Sequence, residues 1–247
     1  VKSFGMSYAL IVGFRKYRHD IKQDWLQKCQ ELPHRQDDWQ DVYHVVVQAM
    51  YKEEIETLDH SISAITNSNY PLEKIIYVLA CEERDKENAL VIANQLYKKY
   101  GRKMYKFIVT VHPKDTPGEI AGKGSNITYA MRQALKKIAK TKIPYSNIIV
   151  TSLDADNRVH KEYFGSLTYN YLIDPDPDHS AYQPLSMYFN NIWHVPLVIR
   201  SISVGSSFWQ MIESTRPYRL RNFSAHAQSL TGLIQTDFWS TRSIVED

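Results

Sequence analysis

Between Tyr43 and Leu153 the sequence alternates between short β-branched apolar runs and longer stretches with apolar residues at helical spacing. The runs centre on Val45-Val46-Val47, Lys74–Ala80, Phe107–Val111 and Ile148–Leu153. They are continuous rather than alternating, which is the signature of strands buried on both faces. The intervening stretches are amphipathic. Ile55, Leu58, Ile62 and Ile65 recur at helical spacing from Glu53 onward, Asn88–Tyr100 forms a second helix stopped by Gly101, and Ile127, Ala130, Met131 and Ala134 line a third beginning at Asn126. Strand and helix in this order imply right-handed βαβ units and a mostly parallel sheet flanked by helices.

Other regions are less constrained. Residues 1–41 are polar, rich in Gln, Asp and Lys, and read as a peripheral helical segment, leaving 42–247 as the main α/β domain. Beyond residue 165, Tyr182–Phe189 is expected to be a strand and Phe208–Glu213 part of a helix. The 247 residues suffice for one sizeable core, and 43% hydrophobic with 23% charged residues is a globular balance. A net charge of +3 without a basic stripe argues against nucleic acid as a partner. Cys29 and Cys81 have neither metal-ligand nor disulfide-framework spacing and read as reduced, packed residues. Tyr8–Phe14 is too short an apolar run to cross a bilayer. It is followed by Arg15-Lys16-Tyr17-Arg18-His19, however, and apolar residues before positive charge resemble the cytoplasmic end of a membrane helix. With Val1 at its start, the chain reads as a piece of a longer membrane protein whose anchoring segments lie outside it.

In open α/β sheets ligands bind beyond the carboxyl ends of the strands, so the loops there carry the chemistry. After the fourth run comes Asp154-Ala155-Asp156, with two carboxylates that would share a face if the backbone stayed extended and would suit a hard divalent cation. After the third comes Gly118-Glu119-Ile120-Ala121-Gly122-Lys123-Gly124-Ser125-Asn126, glycines around a lysine at a helix start, as phosphate contact requires. Its spacing is not that of a P-loop. The first and second runs are followed by Tyr51-Lys52-Glu53-Glu54 and by Cys81-Glu82-Glu83-Arg84-Asp85. Asp174-Pro175-Asp176-Pro177-Asp178 is also acidic at alternate positions, but it follows no buried run and lacks the glycine and distal glutamate of a calcium loop.

Taken in order, these loops resemble those of family 2 glycosyltransferases, over roughly Tyr43 to Asp247. The resemblance implies a GT-A, Rossmann-like fold and inverting transfer of a sugar from a nucleotide-diphosphate donor, UDP-linked, to a hydroxyl on a carbohydrate or lipid-linked acceptor. It implies that Ala49, Tyr51 and Glu53 face the nucleobase, with Ala49 and Lys52 standing where the family has Pro and Asn. Glu82 would meet the uracil, Lys123 and Asn126 the nucleotide sugar, and Asp154 the ribose. Asp156, with Asp154, would hold Mg or Mn. The ending Val245-Glu246-Asp247 resembles the close of polysaccharide-synthase cores, which makes Asp247 the catalytic base and Glu246 its neighbour. The Gln-x-x-Arg-Trp motif of processive synthases is not in the sequence. The resemblance also implies a place on the cytoplasmic face of a membrane. Tyr182–Asn191 would form the sugar or acceptor floor.

A second class remains open, a nucleotide-sugar-binding module without transfer. It would be indifferent to Asp247→Asn. A dinucleotide-binding dehydrogenase would need a glycine-rich turn after the first strand, where this chain has Gln48-Ala49-Met50-Tyr51. A Ser-His-Asp hydrolase would need a Gly-x-Ser-x-Gly elbow, which is also missing from the sequence.

Overall fold

The structure is a computed structural model and describes residues 2–33, 38–190, 192–216 and 225–243. The chain divides into two compact units. The larger comprises Asp24–Tyr182 and Phe223–Asp247, and the smaller Val1–Gln23 and Gln183–Asn222.

The larger unit is built on a six-stranded sheet of strands β1 (Tyr43–Met50), β2 (Ile75–Glu82), β3 (Lys106–His112), β4 (Ile148–Leu153), β5 (Ala181–Tyr182) and β6 (His226–Ser229). The order is β3-β2-β1-β4-β6-β5. The first four strands pair in parallel, and β6 runs antiparallel to both β4 and β5. Helices α3 (Ile55–Thr66), α4 (Lys86–Tyr100) and α5 (Lys123–Ile138) link the four parallel strands. Every residue of β2 and of β4 is buried, as expected for strands covered on both faces.

Side chains alternate between the two faces of each strand. Val46, Met50, Tyr77 and Leu79 pack with Leu58, Ile62 and Ile65 of α3 and with Ile92 and Leu96 of α4. Val45, Val47, Ile76, Val78 and Val150 pack instead with Ile127, Met131 and Ala134 of α5. The helix between β3 and β4 therefore covers the face opposite to α3 and α4. The predicted α/β class, a mostly parallel sheet with helices on both sides, is what the chain adopts.

Among the described residues this unit has three further α-helices: α2 (Trp25–Gln30), α6 (Tyr163–Ile173) and α8 (Leu230–Gln235). On α6, Gly165 lies so close to α2 that an added Cβ would sit 3.1 Å from the Leu26 backbone nitrogen. Glu162, just before α6, accepts the Trp25 N–H at 3.1 Å and the side-chain amide of Asn69. Cys29 and Cys81 are buried free thiols, both pushed up to about 12 by burial, which makes them packing residues.

His44 on β1 is fully buried between Tyr70 and Phe164, and its Nε2 hydrogen-bonds Thr168 Oγ1 at 2.8 Å. Burial pushes its pKa down to about 3 from 6.5. A depressed histidine leaves stability complete above pH 6.5 and removes it as pH falls toward 3, with a slope of up to about 1.4 kcal/mol per pH unit. Unfolding measured against pH should show that slope in the native chain and a flatter one in His44→Gln. Equal slopes in both would assign the acid sensitivity elsewhere.

Of the strand expected over Tyr182–Phe189 only Tyr182 is in a strand, as the second residue of β5. Pro184 has no N–H to give a ladder, and pairing stops ahead of it. The smaller unit contains α1 (Lys2–Asp20) and α7 (Leu197–Glu213), so the helix expected at Phe208–Glu213 begins eleven residues earlier. No helix among the described residues is long and apolar enough to cross a membrane.

Candidate functional site

The chain leaves β1 for β2 and β3 on one side and returns to its other side with β4, so the carboxyl ends of β1 and β4 flank the point where strand order reverses. Gln48 lies level with Leu153 in the ladder, which sets the end of β1 beside the loop that starts at Asp154.

That loop is a tight turn, which differs from the extended backbone expected for Asp154 and Asp156. The Asn157 N–H donates to the Asp154 carbonyl at 3.1 Å, and the Asn157 side-chain oxygen accepts the Asp154 N–H at 3.0 Å. Asparagine favours such closures because its side chain mimics a backbone acceptor. Ala155 is buried, Asp154 partly so and Asp156 exposed. The two carboxylates therefore belong to one turn at the carboxyl end of β4, placed by the turn and not by strand alternation.

Gln48 anchors this turn from within the core. Its Nε2 donates to the Asp154 carbonyl at 2.6 Å and to Ser61 Oγ at 2.8 Å, and its Oε1 accepts the Tyr77 hydroxyl at 2.5 Å. Ser61 in turn donates to the Asn157 carbonyl at 2.5 Å. A fully buried glutamine is tolerated because all of these groups are partnered.

Lys123 begins α5, where a cation opposes the helix dipole. Its Nζ lies 2.7 Å from Asp154 Oδ1, and this carboxylate offsets the unfavourable placement. Gly122, just before it, is extended and caps nothing with a side chain. Asn126, one turn further on, is buried; its Nδ2 donates to the Ala80 carbonyl of β2 at 2.8 Å, and its Oδ1 has no protein partner.

After β1, Lys52 takes a left-handed conformation at φ 63°, and its N–H donates to Asp85 at 3.1 Å. This turn brings Glu53 back to accept the Tyr51 N–H. Burial raises the Glu53 pKa, with Asp85 and Asp156 adding like-charge repulsion against the backbone hydrogen bonds that lower it. Glu53 and Asp156 thus share one electrostatic neighbourhood. The Arg84 guanidinium lies over the Tyr51 ring, 4.4 Å from its centre, while its Nε donates to Glu82 at 2.7 Å. The carboxylate expected to face a base is thus engaged by Arg84.

Ala49, Tyr51, Glu53, Glu82, Lys123, Asn126, Asp154 and Asp156 therefore come from the ends of β1, β2 and β4 and the start of α5. Glu246 and Asp247 lie outside the described residues. Among the described residues no group of three or more His, Cys, Asp and Glu is arranged to hold a metal ion. The donors present are the two carboxylates of the 154–157 turn. Asp154 is held by Lys123 and Asp156 is exposed; carboxylate oxygens are the donor type that Mg and Mn take, with water and phosphate oxygens completing the shell.

Sequence reasoning missed Gln48, Ser61, Asn157, Arg84 and Asp85, which position these groups. One signal was available: Gln48 is the single amide within the run Tyr43–Met50. The rival acidic stretch is a structural loop. Asp174 accepts the Tyr182 hydroxyl at 2.9 Å, and Asp176 pairs with His179 at 2.8 Å.

No family model matches the sequence, and no curated protein matches it. Among solved structures, the chain is similar to a mannosyltransferase of Pyrobaculum calidifontis in complex with GDP-Man and Mn2+, at 14% identity and a TM-score of 0.49, over 98% of this chain and 61% of that one. It is also similar to residues 1–349 of TarS of S. aureus in complex with UDP-GlcNAc, at 13% identity and a TM-score of 0.45, over 81% of this chain and 49% of that one. The chain thus spans about half to three-fifths of the length of these structures.

Proposed function

We propose that this chain is the catalytic unit of a metal-dependent glycosyltransferase that moves a sugar from a UDP-linked donor to a hydroxyl of a carbohydrate or lipid-linked acceptor, with inversion. The observation that carries the reading is the meeting of the Asp154–Asn157 turn, the Lys123 ammonium and the Tyr51–Glu53 loop at the reversal point of the sheet. An acidic pair beside a fixed cation suits a diphosphate that arrives with a metal.

In this reading Asp156, with Asp154, holds Mg or Mn, which when bound stabilises charge on the departing diphosphate as a Lewis acid. Lys123 offers a second positive charge to the phosphates. Tyr51, backed by Arg84, offers a ring face to the base, with Glu53 fixing its turn and Ala49 assigned to the base by sequence resemblance. Asp247 is assigned by sequence resemblance to accept the acceptor's proton, with Glu246 beside it. The acceptor oxygen bonds to the anomeric carbon as the bond to the diphosphate breaks, and one such displacement inverts that carbon. General-base help of this kind is worth about 10²- to 10⁴-fold.

Titration calorimetry tests the donor site. UDP is expected to bind about tenfold or more tightly with Mn or Mg than without, because two carboxylates facing a diphosphate repel it unless a cation intervenes. Equal affinity in metal-free buffer would reject the metal role of Asp154 and Asp156.

A further inference from the structure

The smaller unit concentrates two surface properties. Fifteen of the 22 exposed large apolar side chains among the described residues belong to it. It also carries nine Lys and Arg against two acidic residues, whereas the rest of the chain has 21 against 25. A quarter of the sequence thus holds most of the exposed apolar surface and the whole of the basic excess. Scattered exposed apolar residues are ordinary, but a concentration of this kind marks a binding face.

The placement within the helices is regular. On α1, Phe4, Tyr8 and Ile11 follow one another at spacings of four and three residues, at 83%, 71% and 51% exposure, and the same stripe continues into Arg15 and Arg18. On α7, Leu197, Val198 and Ile202 are exposed at 74%, 70% and 60%. The two helices are packed together on other residues. Gly13 of α1 lies so close to α7 that an added Cβ would meet the Met211 carbonyl oxygen at 2.2 Å. Their outward apolar residues are therefore not left over from a missing contact between the pair. Trp193 is 77% exposed beside Arg200, whose guanidinium lies 5.1 Å from the ring centre. Tryptophan beside arginine favours the boundary between water and hydrocarbon.

We propose that α1 and α7 form a docking face for an anionic lipid bilayer, lying in the interface and not spanning it. Apolar residues enter the acyl boundary while the exposed Arg15 and Arg18 meet lipid phosphates. Charge decides between occupants. A second copy of the chain would bring the same positive face against itself, whereas an anionic bilayer complements it. This inference is independent of the transferase reading, since lipid binding needs neither donor nor metal.

Vesicle sedimentation of the whole chain tests it, with phosphatidylcholine vesicles and with mixed phosphatidylcholine and phosphatidylglycerol vesicles. Binding is expected to the anionic vesicles, weakening as salt rises. Arg15→Gln/Arg18→Gln should weaken it about 25-fold, from about fivefold per cation. Phe4→Ser/Leu197→Ser/Ile202→Ser should weaken it about tenfold or more. All these side chains are exposed, so unchanged circular dichroism should show that both variants still fold. Failure to bind anionic vesicles overturns the proposal. So does binding that survives the apolar variant, or light scattering that reports a dimer abolished by that variant.

Discussion

Asp156→Ala is expected to lower sugar transfer by about 10³-fold or more while leaving the unfolding midpoint within a degree or two. The catalytic loss follows from removing the carboxylate assigned to the metal, since Lewis-acid stabilisation of a leaving diphosphate is worth several kcal/mol. The structural cost is small because Asp156 is exposed, and the Asn157 side-chain amide donates to it at 3.5 Å, the long end of a hydrogen bond. Surface changes of this kind stay within about 0.5 kcal/mol. Transfer assays with UDP-sugars, run beside thermal melts, separate the two effects. Turnover at the native rate in this variant would remove Asp156 from the mechanism.

Gln48→Leu should do the reverse and act first on stability. It deprives the Tyr77 hydroxyl of its acceptor and the Asp154 carbonyl of a donor, both partners of the fully buried Gln48. Unpaired buried groups cost about 1–3 kcal/mol each, so a loss of about 2–6 kcal/mol is expected, read as a fall of roughly 5–20 °C in Tm. Tyr77→Phe in the same chain removes one orphaned hydroxyl and should restore part of the loss, as coupled neighbours do. A double variant no more stable than Gln48→Leu would mean that the hydroxyl finds another partner. UDP affinity should fall together with stability, because the same glutamine holds the 154–157 turn.

The parallel half of the fold was legible because buried strands betray themselves as unbroken β-branched runs and the helices between them as amphipathic stripes. β6 was not legible. Its sequence, His226-Ala227-Gln228-Ser229, has no strand signature, and it is a strand because β4 and β5 pair with it on either side. α6 was missed for another reason: Phe164, Leu167, Thr168 and Tyr171 are buried, but its remaining residues are apolar enough to blur the stripe. At the site, residue types were readable and their partnerships were not. Glu82 reads as a free acid, yet Arg84, two residues on, claims it. Asn126 reads as a ligand contact at a helix start, yet it reaches inward to the Ala80 carbonyl. Two-residue offsets across a turn and contacts between distant elements leave no periodic trace in sequence.

In the turn at the end of β4, Gln48, Ser61 and Asn157 hold main-chain groups of Asp154 and Asn157, and none of these three bonds uses either aspartate's carboxylate. Scaffold and reactive groups are thus separable in this loop. Selection could exchange either acid for asparagine, glutamate or histidine, and so drift toward another ion or donor, with the frame beneath it unchanged.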